Sequence, residues 1–263
     1  MKAILAILII CSLTACDTFH GDIHVTGPGG IDIGGKFSPG KPLGCVAIKP
    51  QAKEHGLEAW GNRTKFWPAG STLRVKFLSG TTGQKAEAWK RFEKIQSYIN
   101  LKFVQSNGAS EIRVKFDYNN GHWSYVGKDA LGIAKSQPTM NLALKSGWFG
   151  DNADEWDRVA LHEILHSIGL MHEHQHPQSA IPWNVPAVLA YYEQTQGWTE
   201  AEVYQQVLNK EPLNPSFVGT AFDASSIMEY PVPAELTTNG FSVGWNRQLS
   251  PQDIKFITTV YPK

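Results

Sequence analysis

The 263-residue chain has no excess charge of either sign: Lys and Arg total 24, Asp and Glu total 24, and the formal net charge is zero. That balance excludes the broad basic footprint used to grip nucleic acid and gives no electrostatic reason to dock on a membrane. Long apolar runs are also lacking. The one sizeable run, residues 3–13, is too short to span a bilayer comfortably. No internal repeat or heptad pattern is present, which excludes solenoids and coiled coils. Nine tryptophans suit a substantial core or an aromatic-lined cleft without choosing between them. The length allows one domain of about 200 residues with appendages.

Cysteine is scarce, at three residues: Cys11, Cys16 and Cys45. Residues 1–15 read as a secretion signal, with Lys2, the apolar run and then small residues. Leu13-Thr14-Ala15-Cys16 resembles the bacterial lipobox, in which cleavage precedes a cysteine that is then lipidated. An ordinary signal peptide cut nearby is the alternative. With Cys11 removed and Cys16 lipidated, only Cys45 remains. An intramolecular disulfide is then excluded even in an oxidising compartment, and stability must come from the core. The expected location is a bacterial cell envelope, lipid-anchored and facing periplasm or exterior.

Residues 16–56 are rich in Gly and Pro, lack helical periodicity and read as a tether or pro-segment. Residues 57–263 read as the folded domain. A first strand is expected within 67–78, with Leu73, Val75 and Phe77 on one face. A helix over 82–100 presents Ala86, Trp89, Phe92, Ile95 and Ile99. Further strands are expected at 102–104, 111–116, 131–135 and 140–144, the first two joined by a turn at Asn107-Gly108. Later helices are expected over 154–168, 186–194, from a capping box at Thr199-Glu200-Ala201-Glu202 to about residue 208, and after Ser250-Pro251 with Ile254, Ile257 and Val260 facing inward.

The chemistry concentrates in His162-Glu163-Ile164-Leu165-His166-Ser167-Ile168-Gly169-Leu170-Met171-His172, an H-E-x-x-H-x-x-G-x-x-H pattern. On a helix, His162 and His166 leave the same face, which suits two legs of a tetrahedral Zn²⁺ site. Gly169 is the residue type that ends a helix at positive φ, so the chain can double back and bring His172 in as third ligand. Three protein ligands leave a position open, the mark of a catalytic site. Glu163 stands where it can deprotonate a water on the metal. A core helix that is merely rich in histidine is the plainer reading, and the added Gly169 and His172 argue against it.

These residues resemble the metzincin zinc peptidases. Within them Glu173, directly after His172, is similar to the astacins. Ser226-Ile227-Met228-Glu229-Tyr230 resembles the astacin Met-turn S-I-M-H-Y, with Glu229 in place of the usual His. Gly121-His122-Trp123-Ser124-Tyr125-Val126-Gly127 is similar to G-C-W-S-Y-V-G, with His122 in place of a disulfide-forming Cys. Leu249-Ser250-Pro251-Gln252-Asp253-Ile254 is similar to the start of the family's last helix.

The resemblance implies a two-lobed α+β domain: a small twisted mixed sheet with helices, a zinc helix flooring the cleft, and a largely helical or irregular C-terminal lobe. It implies an endopeptidase with one Zn²⁺, with Glu163 as general base and Tyr230 as candidate fifth ligand and oxyanion donor. It gives Met228 and Glu173 supporting roles, Met228 packing under the metal. Protein substrates are expected to lie extended along an exposed edge strand near residues 131–135. His174 and His176 read as polar cleft or loop residues. Phe19-His20-Gly21-Asp22 resembles the aspartate switch of astacin propeptides, and Cys45 offers a thiolate instead. An inert tether with neither role stays open, as does an inactive zinc lipoprotein that binds a partner through the same cleft.

Overall fold

In the computed structural model of the chain, the residues described are 61–145, 153–211, 213, 215–219 and 221–263, together with the strand backbones at 22–23, 35–36 and 45–48. Cys11, Cys16 and the expected signal peptide lie outside them. Asp22 lies in a two-residue strand paired antiparallel with Gly35–Lys36.

The N-terminal half builds one six-stranded mixed sheet. Its members are β1 (Cys45–Ile48), β3 (Thr72–Phe77), β4 (Lys102–Gln105), β5 (Ile112–Lys115), β6 (His122–Tyr125) and β7 (Met140–Asn141). A short β2 (Gly61–Asn62) pairs instead with β8 (Phe217–Val218). The order across the sheet is β1, β6, β7, β5, β3, β4. Only the β6–β7 pair is antiparallel. Alternation places Leu73 and Val75 in the core while Thr72 and Arg74 face solvent, as period-2 geometry requires.

Helix α1 (Thr82–Gln96) opens on a capping box between Thr81 and Gln84. Its inward face is Ala88, Phe92 and Ile95, continued by Ile99 beyond the helix end. Ala86, expected inward, is exposed, because two residues from Ala88 puts it on the opposite face. The helix packs on α2 (Ala153–Ser167), and ion pairs lock the contact. Asp157 of α2 meets Arg91 at 2.8 Å and Lys94 at 2.9 Å. Burial pushes the Asp157 carboxyl up, but Lys94, Gln248 and Arg91 outweigh it and hold it below its ordinary value. A depressed carboxyl stabilises the fold above its unfolded pKa of about 4 and loses that contribution as pH falls through the folded value. Asp157→Asn should therefore lower stability at pH 7 by about 1 kcal/mol and flatten the decline below pH 4. Parallel urea titrations at pH 7 and pH 3 check this, and equal losses at both would refute it.

Residues 131–135 do not form the expected strand. Gly127–Gly132 is a 3-10 turn. The carbonyls beyond it are taken by Arg113, whose side chain is fully buried. Its Nη2 donates to the Ile133 carbonyl at 3.2 Å and its Nε to that of Gln137 at 2.6 Å. A guanidinium that needs acceptors thus competes with strand pairing and wins. The strand beside the zinc helix is β6, and β1 lies parallel along its outer side, with Cys45 opposite His122 and Ile48 opposite Tyr125.

Beyond residue 169 a second, smaller core gathers Val188, Trp198, Val203, Val207 and Leu236. It holds α3 (Val185–Gln196) and α4 (Glu200–Val203), the latter opened by the Thr199–Glu202 capping box. The turn continues as a π-helical segment, Tyr204–Leu208, rather than the expected α-helix. Helix α5 (Pro251–Val260) closes the chain. Its buried face is Asp253, Phe256 and Ile257, while Ile254 and Val260 are only half-buried. The architecture is α+β in two lobes.

Candidate metal centre

Helix α2 is buried nearly all round, from Trp156 to Ser167. Its last carbonyls find partners far along the chain: Trp67 Nε1 donates to Ser167 at 2.9 Å, and the Tyr261 hydroxyl donates to Ile168. The end itself is a Schellman turn. Gly169 stands at φ +111°, its amide reaching the His166 carbonyl at 2.8 Å, while the Leu170 amide reaches Leu165 at 3.0 Å. A Cβ on Gly169 would also lie 2.5 Å from the Phe66 ring.

That turn delivers two things to the site. The Leu170 carbonyl accepts from His166 Nδ1 at 2.7 Å, which leaves Nε2 as the unprotonated nitrogen. His172 is brought back over the helix, its Nε2 3.1 Å from His166 Nε2. His162 is fixed by the same device from elsewhere, as its Nδ1 lies 2.7 Å from the Ile227 carbonyl. One ligand atom from each of the three histidines falls within 4.8 Å of the others, and all three side chains are buried.

The donor set fits a zinc ion. His162 Nε2 is buried with no hydrogen-bond partner among the described residues, a costly state for a lone pair. The 3.1 Å between the Nε2 atoms of His166 and His172 is close to the edge, about 3.3 Å, of a tetrahedron with Zn–N of about 2.0–2.1 Å. Burial holds the His162 imidazole well below its ordinary pKa, with His166 adding to the effect against the Ile227 bond, so it stays neutral and competent to ligate.

Glu163 follows the first ligand and is fully buried. The Tyr230 ring lies 4.4 Å from that of His172 and 4.2 Å from that of His174, centroid to centroid. The turn that carries it is clamped by Asp253, which accepts from Ser226 Oγ at 2.6 Å and from the Ile227 amide at 2.9 Å. Met228 is buried, and its carbonyl accepts from the Glu173 amide at 2.9 Å. Glu173 Oε1 in turn accepts from the Asp223 amide at 2.8 Å. Burial pushes the Glu173 carboxyl up to about 8; the Asp223 amide opposes this and the Asp253 and Asp223 charges add to it.

His174 and His176 lie in the loop after α2, and both are buried. His174 Nε2 lies 2.8 Å from the Gln206 carbonyl, one of those displaced by the π-helical turn, and His176 Nδ1 accepts from the Gln178 amide. His122 is buried on β6 with Nδ1 accepting from the Ala143 amide at 3.0 Å. Burial drives its pKa down to about 3, with the Arg158 charge adding and Glu155 opposing, so it is a neutral acceptor where the related motif has a cysteine. Sequence reasoning missed Asp253 and the backbone carbonyls of Ile227 and Leu170. Asp253 had a signal, three residues after the cap Ser250; the carbonyls had none.

A buried three-histidine centre on an H-E-x-x-H helix, beneath a methionine turn and between two lobes, defines a metallopeptidase-type zinc protein. Residues 60–262 match the Astacin peptidase family, and the chain belongs to that family. Among solved structures it is similar to myroilysin, at 35% identity and a TM-score of 0.74, over 77% of this chain and 98% of that one. The hatching enzyme HCE-1 of the medaka Oryzias latipes shares the fold at 18% identity and a TM-score of 0.53, over 79% of this chain and 98% of that one. Zinc metalloproteinase nas-17 of Caenorhabditis elegans is 36% identical over 80 residues, 30% of this chain and 15% of that protein. The matched segments span no more than 37% of the length of the curated relatives.

Proposed function

We propose that this chain is a zinc-dependent endopeptidase acting on protein substrates outside the cytoplasm. The observation that carries the reading is the convergence of three buried imidazoles, two of them fixed by backbone carbonyls, with Glu163 beside the first ligand and the Tyr230 ring against the third. A bound zinc ion would supply Lewis acidity toward the scissile carbonyl and the attacking water. Glu163, buried and carried on the rigid α2, takes the proton of that water and passes it to the departing amine. The Tyr230 hydroxyl donates a hydrogen bond to the oxygen as it gains charge, and the clamped turn holds it ready to do so. His162 and His166 stay oriented throughout because backbone carbonyls hold their Nδ1 atoms.

The substrate strand belongs along β6, the strand beside the zinc helix, and the segment Cys45–Ile48 occupies that edge in parallel pairing. This supports latency: the Cys45–Ile48 strand must move off that edge before substrate enters. Cys45 is the first residue of the occupying strand and the preferred blocking ligand, with Asp22 the second candidate. Anchoring through a lipid on Cys16 at a bacterial envelope completes the reading.

Hydrolysis of denatured casein by the purified full-length chain tests it, before and after proteolytic trimming and with and without 1,10-phenanthroline. Chelatable activity that rises on trimming, and is present without trimming in Cys45→Ser, supports enzyme and latency together. Equal activity of the parent, Cys45→Ser and Asp22→Ala reduces the tether to a tether. A zinc-loaded protein that cleaves nothing after trimming favours a binding module. Cys16→Ser should move the protein out of the membrane fraction, and unchanged partitioning refutes the anchor.

A further inference from the structure

Beside the histidine triad a cavity of about 180 Å³ opens, with His162 and Tyr230 among its lining residues. Its walls are aromatic: Tyr192 and Trp198 stack at 5.1 Å on one side, and Trp245 also lines it. Two charged side chains reach it, and they differ in how far their needs are already met.

Arg158 is engaged within the protein. Its Nε and Nη2 donate to the two carboxylate oxygens of Glu155 at 2.8 and 2.6 Å, and its guanidinium lies 4.3 Å over the Trp245 ring. Its charge is neutralised in a bidentate pair.

Glu229 is the opposite case. It is 5% exposed, and neither carboxyl oxygen has a hydrogen bond of normal geometry among the described residues; only the amide of Tyr230 lends it weak support. Glu173 and Asp223 stand near enough to add negative potential rather than relieve it. A buried carboxyl left in this state is costly. It lines a cavity shared with a zinc ligand and Tyr230, so its missing partner can arrive with the substrate.

Resting on the peptidase reading above, we propose that Glu229 is a specificity-determining residue. The cavity takes the side chain of a substrate residue flanking the scissile bond, a lysine or arginine whose cationic end hydrogen-bonds the Glu229 carboxyl. The aliphatic stem of such a residue packs on the aromatic walls, and its cation gains from their faces. An aliphatic side chain leaves the carboxyl unpaired, and an acidic one sets a second carboxyl against it.

The test is cleavage-site profiling of the trimmed, zinc-loaded enzyme on a peptide library randomised on both sides of the scissile bond. Lys and Arg should exceed Leu at one flanking position by about tenfold or more in kcat/KM, with Asp and Glu disfavoured there. In Glu229→Gln that ratio should fall about tenfold while cleavage of Leu-containing peptides is retained; zinc content and Tm verify that the variant is intact. If Glu229→Gln does not fold, the parent profile decides alone. Cleavage with no Lys or Arg preference, or a preference unchanged in the variant, overturns the assignment and leaves the peptidase reading standing. No cleavage of any peptide or of casein sinks both.

Discussion

Glu163→Gln should leave a folded, zinc-loaded protein whose kcat/KM is lowered by about 10²–10⁴. Glutamine keeps the shape and length of glutamate on a helix whose neighbours are all buried, so packing around residue 163 is preserved. It cannot accept a proton from water or carry one to the departing amine. The three ligating nitrogens belong to other residues, so zinc content should stay unchanged. Stability should be equal or slightly higher, because ionising a carboxylate in a site with no exposure is expensive. These readouts separate a chemical role from a structural one. A variant that keeps its zinc and retains a rate within threefold of the parent would remove Glu163 from the mechanism.

The sequence carried what depends on local geometry. H-E-x-x-H at helical spacing and a glycine three residues on were enough to place His162, His166 and His172 together, because each step is fixed by helix pitch or by one residue's allowed φ. Thr199 and Ser250 were legible as caps for the same reason. What escaped is non-local. Whether residues 131–135 pair as a strand depends on Arg113, about twenty residues earlier, taking the Ile133 carbonyl. The partner of β6 is a segment from the Gly- and Pro-rich stretch whose composition argued against regular structure. The acceptors that fix His162 and His166 are backbone carbonyls, which every residue has and no residue type announces. His174 and His176 read as polar cleft or loop residues, and what the sequence did not show is the buried acceptor of His174, the Gln206 carbonyl in the π-helical turn Tyr204–Leu208.

Removing zinc should cost this fold stability as well as activity. The metal centre ties the end of α2 to the chain beyond Gly169, because His172 is its third ligand. Without the ion, His162 Nε2 is buried with no hydrogen-bond partner among the described residues, and the Nε2 atoms of His166 and His172 face each other at 3.1 Å. Zinc that binds the native state alone stabilises it by about 4 kcal/mol at a thousandfold excess over Kd. For a domain of about 200 residues, each kcal/mol moves Tm by about 2–4 °C, so a fall of about 8–16 °C is expected on exhaustive chelation. Readdition of zinc should restore Tm and casein hydrolysis together. His172→Phe keeps a ring of similar size but no ligating nitrogen. Its Tm should start lower and respond little to either treatment, because two imidazoles hold zinc far less tightly than three. A parent Tm that moves by less than about 2 °C with chelator would show that the three histidines are packed as core residues and hold no metal.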